Sequence, residues 1–409
     1  MNHIGKETKT IISSAVSVQA LTYVDDLLGI GSKMIIEMIM ENCKLMETEK
    51  GMGFSLDKSN WMVMKTGREA VEEVCISMKA GKIEQCEFYK LLGNWLNSQG
   101  NMDKQLEEME KKVVTYIRDC NIMAAQVRIG EMEMEAKIII YENVIKTSLL
   151  YNIEAWSNIR KCDYEKLEVL QGRILKGIFG LPNSTPYWGI LFEFEILPVK
   201  QEIWYRKLIL YHGIINSDDD RIAKQIFIEQ EATGQESCWF SELKDIGREI
   251  GMEVGGERAK MTMKSEWKKE AKSKIRKIAD EIEEEKIKSM PKMRFLEKRA
   301  IDTYLNEVHN EMARKAMKIR LNMTEYIKNN FGMRVNCLLC GEEDATEHVF
   351  ACQGIQHHAP VTTDNLKGGT KMEEIVHLFE EMKGKREAKI REDTEREIAE
   401  LVADVVCDK

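Results

Sequence analysis

Two groups of residues in this 409-residue chain have the types and spacing to do chemistry. The first is Tyr23-Val24-Asp25-Asp26, two adjacent carboxylates between the short apolar runs VSVQALTYV and LLGIG. Carboxylates at a hairpin tip suit a hard cation such as Mg²⁺, which takes few protein oxygens and completes its shell with water and substrate phosphates. An Asp pair is equally ordinary turn composition. The second group is Cys337-x2-Cys340-x7-His348-x3-Cys352. Three thiolates and one imidazole make the closed, soft, tetrahedral shell of a structural Zn²⁺ site. Gly341 suits a knuckle turn after the first pair, and the spacing of His348 and Cys352 predicts one shared helix face. The bland counterpart is a set of buried cysteines beside an incidental histidine. His357 and His358 read as exposed tail residues.

The elements that must position these groups follow from periodicity. Residues 15–31 predict strand, turn, strand, with the acidic pair at the tip. Residues 32–49 carry Met34, Ile35, Met38, Ile39, Cys43 and Met46 at helical spacing, which predicts a helix packed on that hairpin. Further strands are expected at 61–64 and 88–96, the latter closed by Asn97-Ser98-Gln99-Gly100. Beyond residue 101, apolar stripes predict helices at 102–127, 131–151, 163–179, 198–216 and 220–231, punctuated by Pro182, Pro186 and Pro198. Residues 251–257 (GMEVGGE) read as a hinge, and Pro291 splits the charged block 257–330 into two helices. A polar tail carries one more helix from Lys371. The expected fold class is α+β.

Composition narrows the function classes. With 43% hydrophobic residues, 32% charged residues and 5 Pro, collagen-like, mucin-like and wholly disordered chains are excluded. The net charge of -9 means that any nucleic-acid surface must be local. Candidates are Arg206 with Lys207, Arg258 through Lys277, Lys292 with Arg294, and Lys315 through Arg320. Lys/Glu alternation along a helix is usually a solvated face with i,i+4 pairs, and Glu281 to Lys286 fits that pattern. The 25 Met read as flexible core filler. Ten scattered Cys do not form a secreted disulfide framework, and the start of the chain has no apolar leader. The expectation is a cytoplasmic or nuclear protein, not secreted and with no membrane partner.

In chain order, these segments resemble the reverse transcriptases of non-LTR retrotransposons. YVDD between apolar strands resembles the catalytic hairpin of the palm. A helix follows, then GFSLDKSNWMVM (53–64), similar to the palm segment with a Lys-Ser pair before a strand. FYKLLGNWL (88–96) resembles the primer-grip hairpin. LLYNIEAW (149–156), LQGRILKGIFGLPNSTP (170–186) and ILPV (196–199) are similar to the thumb and the helices after it. FLEKRAIDTYLNEVHNEMARKAMKIRLNM (295–323) and CLLCGEEDATEHVFAC (337–352) resemble the region around that family's C-terminal zinc element. The resemblance covers most of 17–352 and is weakest over 215–290.

The resemblance implies a partial palm with a primer-grip-like hairpin at 1–100, a helical thumb and connector at 101–250, and a charged helical region at 251–330. A zinc element at 331–358 and a tail with a helix at 359–409 complete it. Asp25 would be a catalytic carboxylate on Mg²⁺ with Asp26 its neighbour, and Tyr23 would stand beside the primer terminus. Lys58 would protonate the pyrophosphate leaving group, although a plain surface lysine at a turn fits as well. Leu92 and Gly93 would form the primer-grip turn, although Gly93 is equally an ordinary hairpin glycine. The implied partners are an RNA template, a DNA primer or target, and another element-encoded protein. The family brings a further aspartate from a strand before the hairpin. Here 22 residues precede Tyr23, and Glu7 is their only carboxylate. The expectation is therefore the C-terminal part of an RNA-directed DNA polymerase, inactive alone and without a nuclease carboxylate cluster after Cys352. Two alternatives stay open: a noncatalytic RNA- or DNA-binding remnant with structural zinc, and a helical interaction protein with structural zinc.

Overall fold

A short hairpin with one helix laid across it opens the fold. The computed structural model describes residues 20–23, 26–51, 53–64, 76–78, 81–126, 134–157, 159–234, 238–255, 257–301, 303–306, 310–323, 336–343, 345–355 and 361–407. Strands β1 (Ala20–Tyr23) and β2 (Asp26–Gly29) pair antiparallel, with Tyr23 opposite Asp26, so the connection is two residues long. Helix α1 (Lys33–Lys50) follows and stops at Gly51, which takes the left-handed φ of +63° usual at a helix C-terminus. Its Ile39 and Cys43 are buried with Ile76, Met78 and Ile83, and Leu27, Phe54 and Trp61 pack around them. The hairpin and the packed helix match the expectation over the described residues.

Short strands complete this part. β3 (Asn60–Trp61) pairs parallel with β6 (Glu84–Gln85), and β4 (Ser77–Met78) pairs antiparallel with β5 (Gly81–Lys82). The strand expected at 61–64 is therefore only its first residue with Asn60. Its partner ends at Gln85, and Met64 is left half exposed. The run 88–96 is a hairpin, not one strand: β7 (Phe88–Leu91) and β8 (Asn94–Asn97) pair antiparallel around Leu92 and Gly93.

Most of the rest of the described chain is helical: α2 (Asp103–Gln126), α3 (Met134–Ile140), α4 (Lys146–Leu149), α5 (Lys161–Phe179), α6 (Tyr187–Phe194), α7 (Val199–Ile215), α8 (Ile222–Thr233), α9 (Trp239–Ile250), α10 (Arg258–Met261), α11 (Lys264–Ser289), α12 (Asn310–Arg320), α13 (Thr363–Gly368) and α14 (Met372–Cys407). The architecture is broadly α+β and mostly helical. The helix expected over 131–151 runs without a break from Met134 to Leu149, α3 and α4 being joined by a π-helical turn, Tyr141–Ile145; its first expected residues lie outside the described residues. Helices α6 and α9 were not expected. YWGILFEF is apolar almost all round, so it shows no amphipathic stripe, and five of its eight residues are buried. α9 has a clear stripe, with Trp239, Phe240, Leu243, Ile246 and Ile250 buried.

Contacts divide the chain into two units. One is Met1–Lys111 with Tyr151–Leu167 and Lys200–Ile275. Its helical core gathers Tyr211, Phe227, Phe240 and Trp267, with ring centroids 5.5 Å apart for Tyr211 and Phe227, 5.7 Å for Tyr211 and Trp267, and 4.9 Å for Phe227 and Phe240. Burying a Phe fully is worth about 1.5–3 kcal/mol, so this cluster is a major part of that unit's stability. The segment read as a hinge is pinned here. Met252 is buried, its N–H donates to the Gly247 carbonyl at 2.7 Å, and the Gly255 N–H donates to the Tyr211 hydroxyl at 2.9 Å.

The other unit is Lys112–Leu150 with Glu168–Val199 and Arg276–Lys409. Phe179 and Phe194 stack at 4.0 Å in its core. The buried Gln171 amide donates to the Tyr141 hydroxyl at 2.8 Å and the Leu197 carbonyl at 3.1 Å, and its oxygen accepts from the Val199 N–H at 2.9 Å. A wholly buried pair, Arg320 with Glu193 at 3.2 Å, adds to this core. The stretch after residue 360 is not only a polar tail, because Ile375, Val376, Phe379 and Met382 of α14 are fully buried.

Candidate functional site

The Cys/His segment begins with an antiparallel bridge between Asn336 and Glu343. Within it the Cys337 N–H donates to the Glu342 carbonyl at 2.7 Å and the Gly341 N–H to the Cys337 carbonyl at 2.8 Å. Gly341 takes φ of +83°, a left-handed conformation that glycine adopts without a Cβ penalty. This turn brings Cys337 and Cys340 to one side. His348 comes from a 3-10 turn, Thr346–Phe350, and Cys352 from just beyond it. The helix face expected to carry both is therefore absent, and the tighter turn makes the two side chains converge instead.

All four ligand atoms lie within 4.8 Å of one another. Cys337 Sγ and Cys340 Sγ each lie 3.8 Å from Cys352 Sγ, and Cys340 Sγ is 3.1 Å from His348 Nε2. A tetrahedral ion with Zn–S bonds of about 2.3 Å holds its sulfurs about 3.8 Å apart. The donor set and its edges thus fit Zn²⁺, with every position filled by protein.

The surroundings favour a bound cation. Cys337 and Cys352 are buried. Burial pushes the Cys337 thiol up, but the backbone amides of Leu339 and Cys340, the Arg386 guanidinium and His348 bring it down to about 6. Burial and the neighbouring sulfurs hold Cys352 well above the usual thiol range. Packed sulfurs cannot all ionise without a counter-charge, which a divalent ion supplies. Arg386 of α14 donates to Cys337 Sγ at 3.5 Å, and Arg294 holds Glu347, next to His348, at 2.7 and 2.8 Å. Sequence reasoning missed Arg386. The signal was there, because Arg386 continues the stripe Ile375, Phe379, Met382 on one helix face and is itself buried.

At the first hairpin, Asp26 opens β2 and is exposed. Val24, Asp25 and the Tyr23 side chain lie outside the described residues, as do His357 and His358. Lys58 ends a 3-10 turn, Leu56–Lys58, with its side chain exposed, and its carbonyl accepts from the Tyr89 hydroxyl of β7 at 3.4 Å. The structure thus joins the Lys58 turn to the second hairpin. There Leu92 and Gly93 have φ of +45° and +90°, two positive values as in the tightest hairpin turns. Positive φ strains a leucine, and Leu92 is half exposed. A Cβ on Gly93 would come within 3.1 Å of the Tyr151 ring, so this glycine is also required for packing. Among the described residues, the Cys/His set is the only group of three or more candidate ligands that come together, and Asp26 belongs to none.

Several basic candidates are corrected. Lys207 is wholly buried and bound to Glu242 at 2.7 Å, and burial lowers its pKa. Arg320 is the buried partner of Glu193. Arg206 is tied to Glu202, Arg294 to Glu347, and Lys315 to Glu311 and Glu380. Nor is Glu281 to Lys286 simply a solvated face. Glu283 is fully buried between Arg276 at 3.4 Å and Arg299 at 3.2 Å, because α11 turns that position inward. No protein-family model, curated protein or solved structure matches the chain. No helix of the described residues is long and apolar enough to cross a membrane.

Proposed function

We propose that this chain is a reverse-transcriptase-derived protein of the non-LTR retrotransposon type, which holds an RNA template and a DNA primer and carries a structural Zn²⁺. One observation carries the reading: the two segments that resemble the palm and primer-grip hairpins form tight antiparallel hairpins of one compact unit. The Lys58 turn is bonded to the second of them. The Cys/His cluster supports the reading from the other unit. A photoreactive nucleotide at the primer 3′ end, annealed to an RNA template, should crosslink to peptides containing Tyr23 and Leu92-Gly93. Crosslinks confined to other peptides would overturn the assignment.

Metal-dependent nucleotidyl transfer would place Mg²⁺ on Asp25 and Asp26 with at least one carboxylate from elsewhere. A second reading is a noncatalytic RNA- or DNA-binding remnant, in which the two hairpins and the Cys/His unit hold nucleic acid without chemistry. Primer extension on an RNA template with Mg²⁺ separates them. Extension that Asp25→Ala abolishes identifies a polymerase, and template retention without extension identifies the remnant.

A further inference from the structure

Among the described residues of the first unit, one helix carries a run of basic side chains that pairing does not use up. Residues 258–275 hold seven Lys or Arg against two Glu, a surplus of five positive charges in a chain whose net charge is -9. Three of the seven are occupied: Arg258 binds Glu270 at 2.8 Å, Lys260 binds Glu257 at 3.0 Å, and Lys274 binds the Gly251 carbonyl. Lys264, Lys268, Lys269 and Lys272 are all exposed. None of them has an ion pair or hydrogen bond among the described residues.

Their spacing is regular. Lys264, Lys268 and Lys272 recur every four residues of α11, one ridge with charges about 6 Å apart along the axis. Lys269 lies on the neighbouring row between Ser265 and Ser273, both exposed and small enough to let a backbone approach. The ridge borders the stripe Trp267, Ala271 and Ile275, which is buried. Trp267 is anchored by its indole N–H to the Leu208 carbonyl at 2.9 Å, so the lysines stand on a fixed helix.

We infer that this ridge binds a sugar-phosphate backbone and gives the protein its sequence-independent grip on nucleic acid. The inference rests on the proposed function and names the surface that serves it. Regularly spaced, unpaired ammonium groups match a polyanion with a regular charge repeat, and displacing its counterions drives association. An anionic membrane surface is the poorer match. Interfacial helices bury an apolar face in lipid, and the apolar face of α11 is already inside the protein.

The test is fluorescence anisotropy of a labelled DNA primer annealed to an RNA template, titrated with the full chain over a salt series. The triple variant Lys264→Glu, Lys268→Glu, Lys272→Glu is compared with wild type and with Lys288→Glu, which removes a lysine paired to Glu284. The triple variant should bind at least about tenfold more weakly, with a log K against log salt slope shallower by about 2–3, while Lys288→Glu changes little. The altered side chains are exposed, so the melting temperature should not move, and the milder Gln triple should fall between. Unchanged affinity and slope in the triple variant, with wild type binding, would overturn the inference and leave the proposed function standing. Failure of wild type to bind would overturn both. Vesicles containing phosphatidylserine should not be bound, and lysine-dependent binding to them without an effect on nucleic acid would also overturn it.

Discussion

Cys337, Cys340, His348 and Cys352 were legible in the sequence because metal ligation is coded by ligand type and spacing within one short segment. Arg386 is 49 residues from the sulfur it touches, and no local spacing reports such a contact. Outer-shell partners of a metal site commonly affect affinity 10- to 100-fold, so Arg386→Gln should weaken zinc binding by about that factor in a chelator competition. Cys352→Ser should lose the ion altogether, and equal affinity in Arg386→Gln would show that the guanidinium has no part in it. A second buried group sets a pH dependence. Burial raises Glu283 from 4.5 to about 7, against the pull of Arg276 and Arg299. Between those values the folded protein keeps a proton that the unfolded chain has released, so this group's contribution to stability declines as pH rises through that window. Each pKa unit is about 1.4 kcal/mol, so Glu283→Gln should flatten the fall in melting temperature between about pH 5 and 8. Parallel curves for wild type and variant would contradict this.

Amphipathic helices such as α2 and α5 could be read from the sequence within a few residues, since their apolar stripes face a core. α6 could not, because a helix buried on nearly every side shows no period. Strand extents were harder, because a strand ends where its partner does: β3 stops at Trp61 although apolar residues continue. The closing turn of α9 shows how backbone packing constrains one residue. A Cβ on Gly247 would sit 2.5 Å from the Met252 carbonyl oxygen, in the same turn that ties Met252 N–H to Gly247. Backbone cannot yield as a side-chain end can. Gly247→Ala should therefore destabilise the protein by about 1–3 kcal/mol in urea unfolding despite alanine's better helix propensity. A neutral or stabilising result would mean that the turn opens freely.

At the scale of the whole chain, each unit draws on three separated stretches of sequence. Composition and periodicity report local tendencies, so they do not show which distant stretches fold together. Charge is distributed in the same non-local way. Lys207 and Arg320 look like phosphate ligands in the sequence, yet each meets a carboxylate far along the chain and is buried. Lys264, Lys268, Lys269 and Lys272 keep their charges in solvent, and the nearby Glu270 is taken by Arg258. Template and primer binding is the central claim, and the most direct measurement is the affinity of the full wild-type chain for a primed RNA template between about 50 and 200 mM salt. Binding at low salt, with log K falling linearly as log salt rises, is the expected result; no binding at the lowest salt would contradict it.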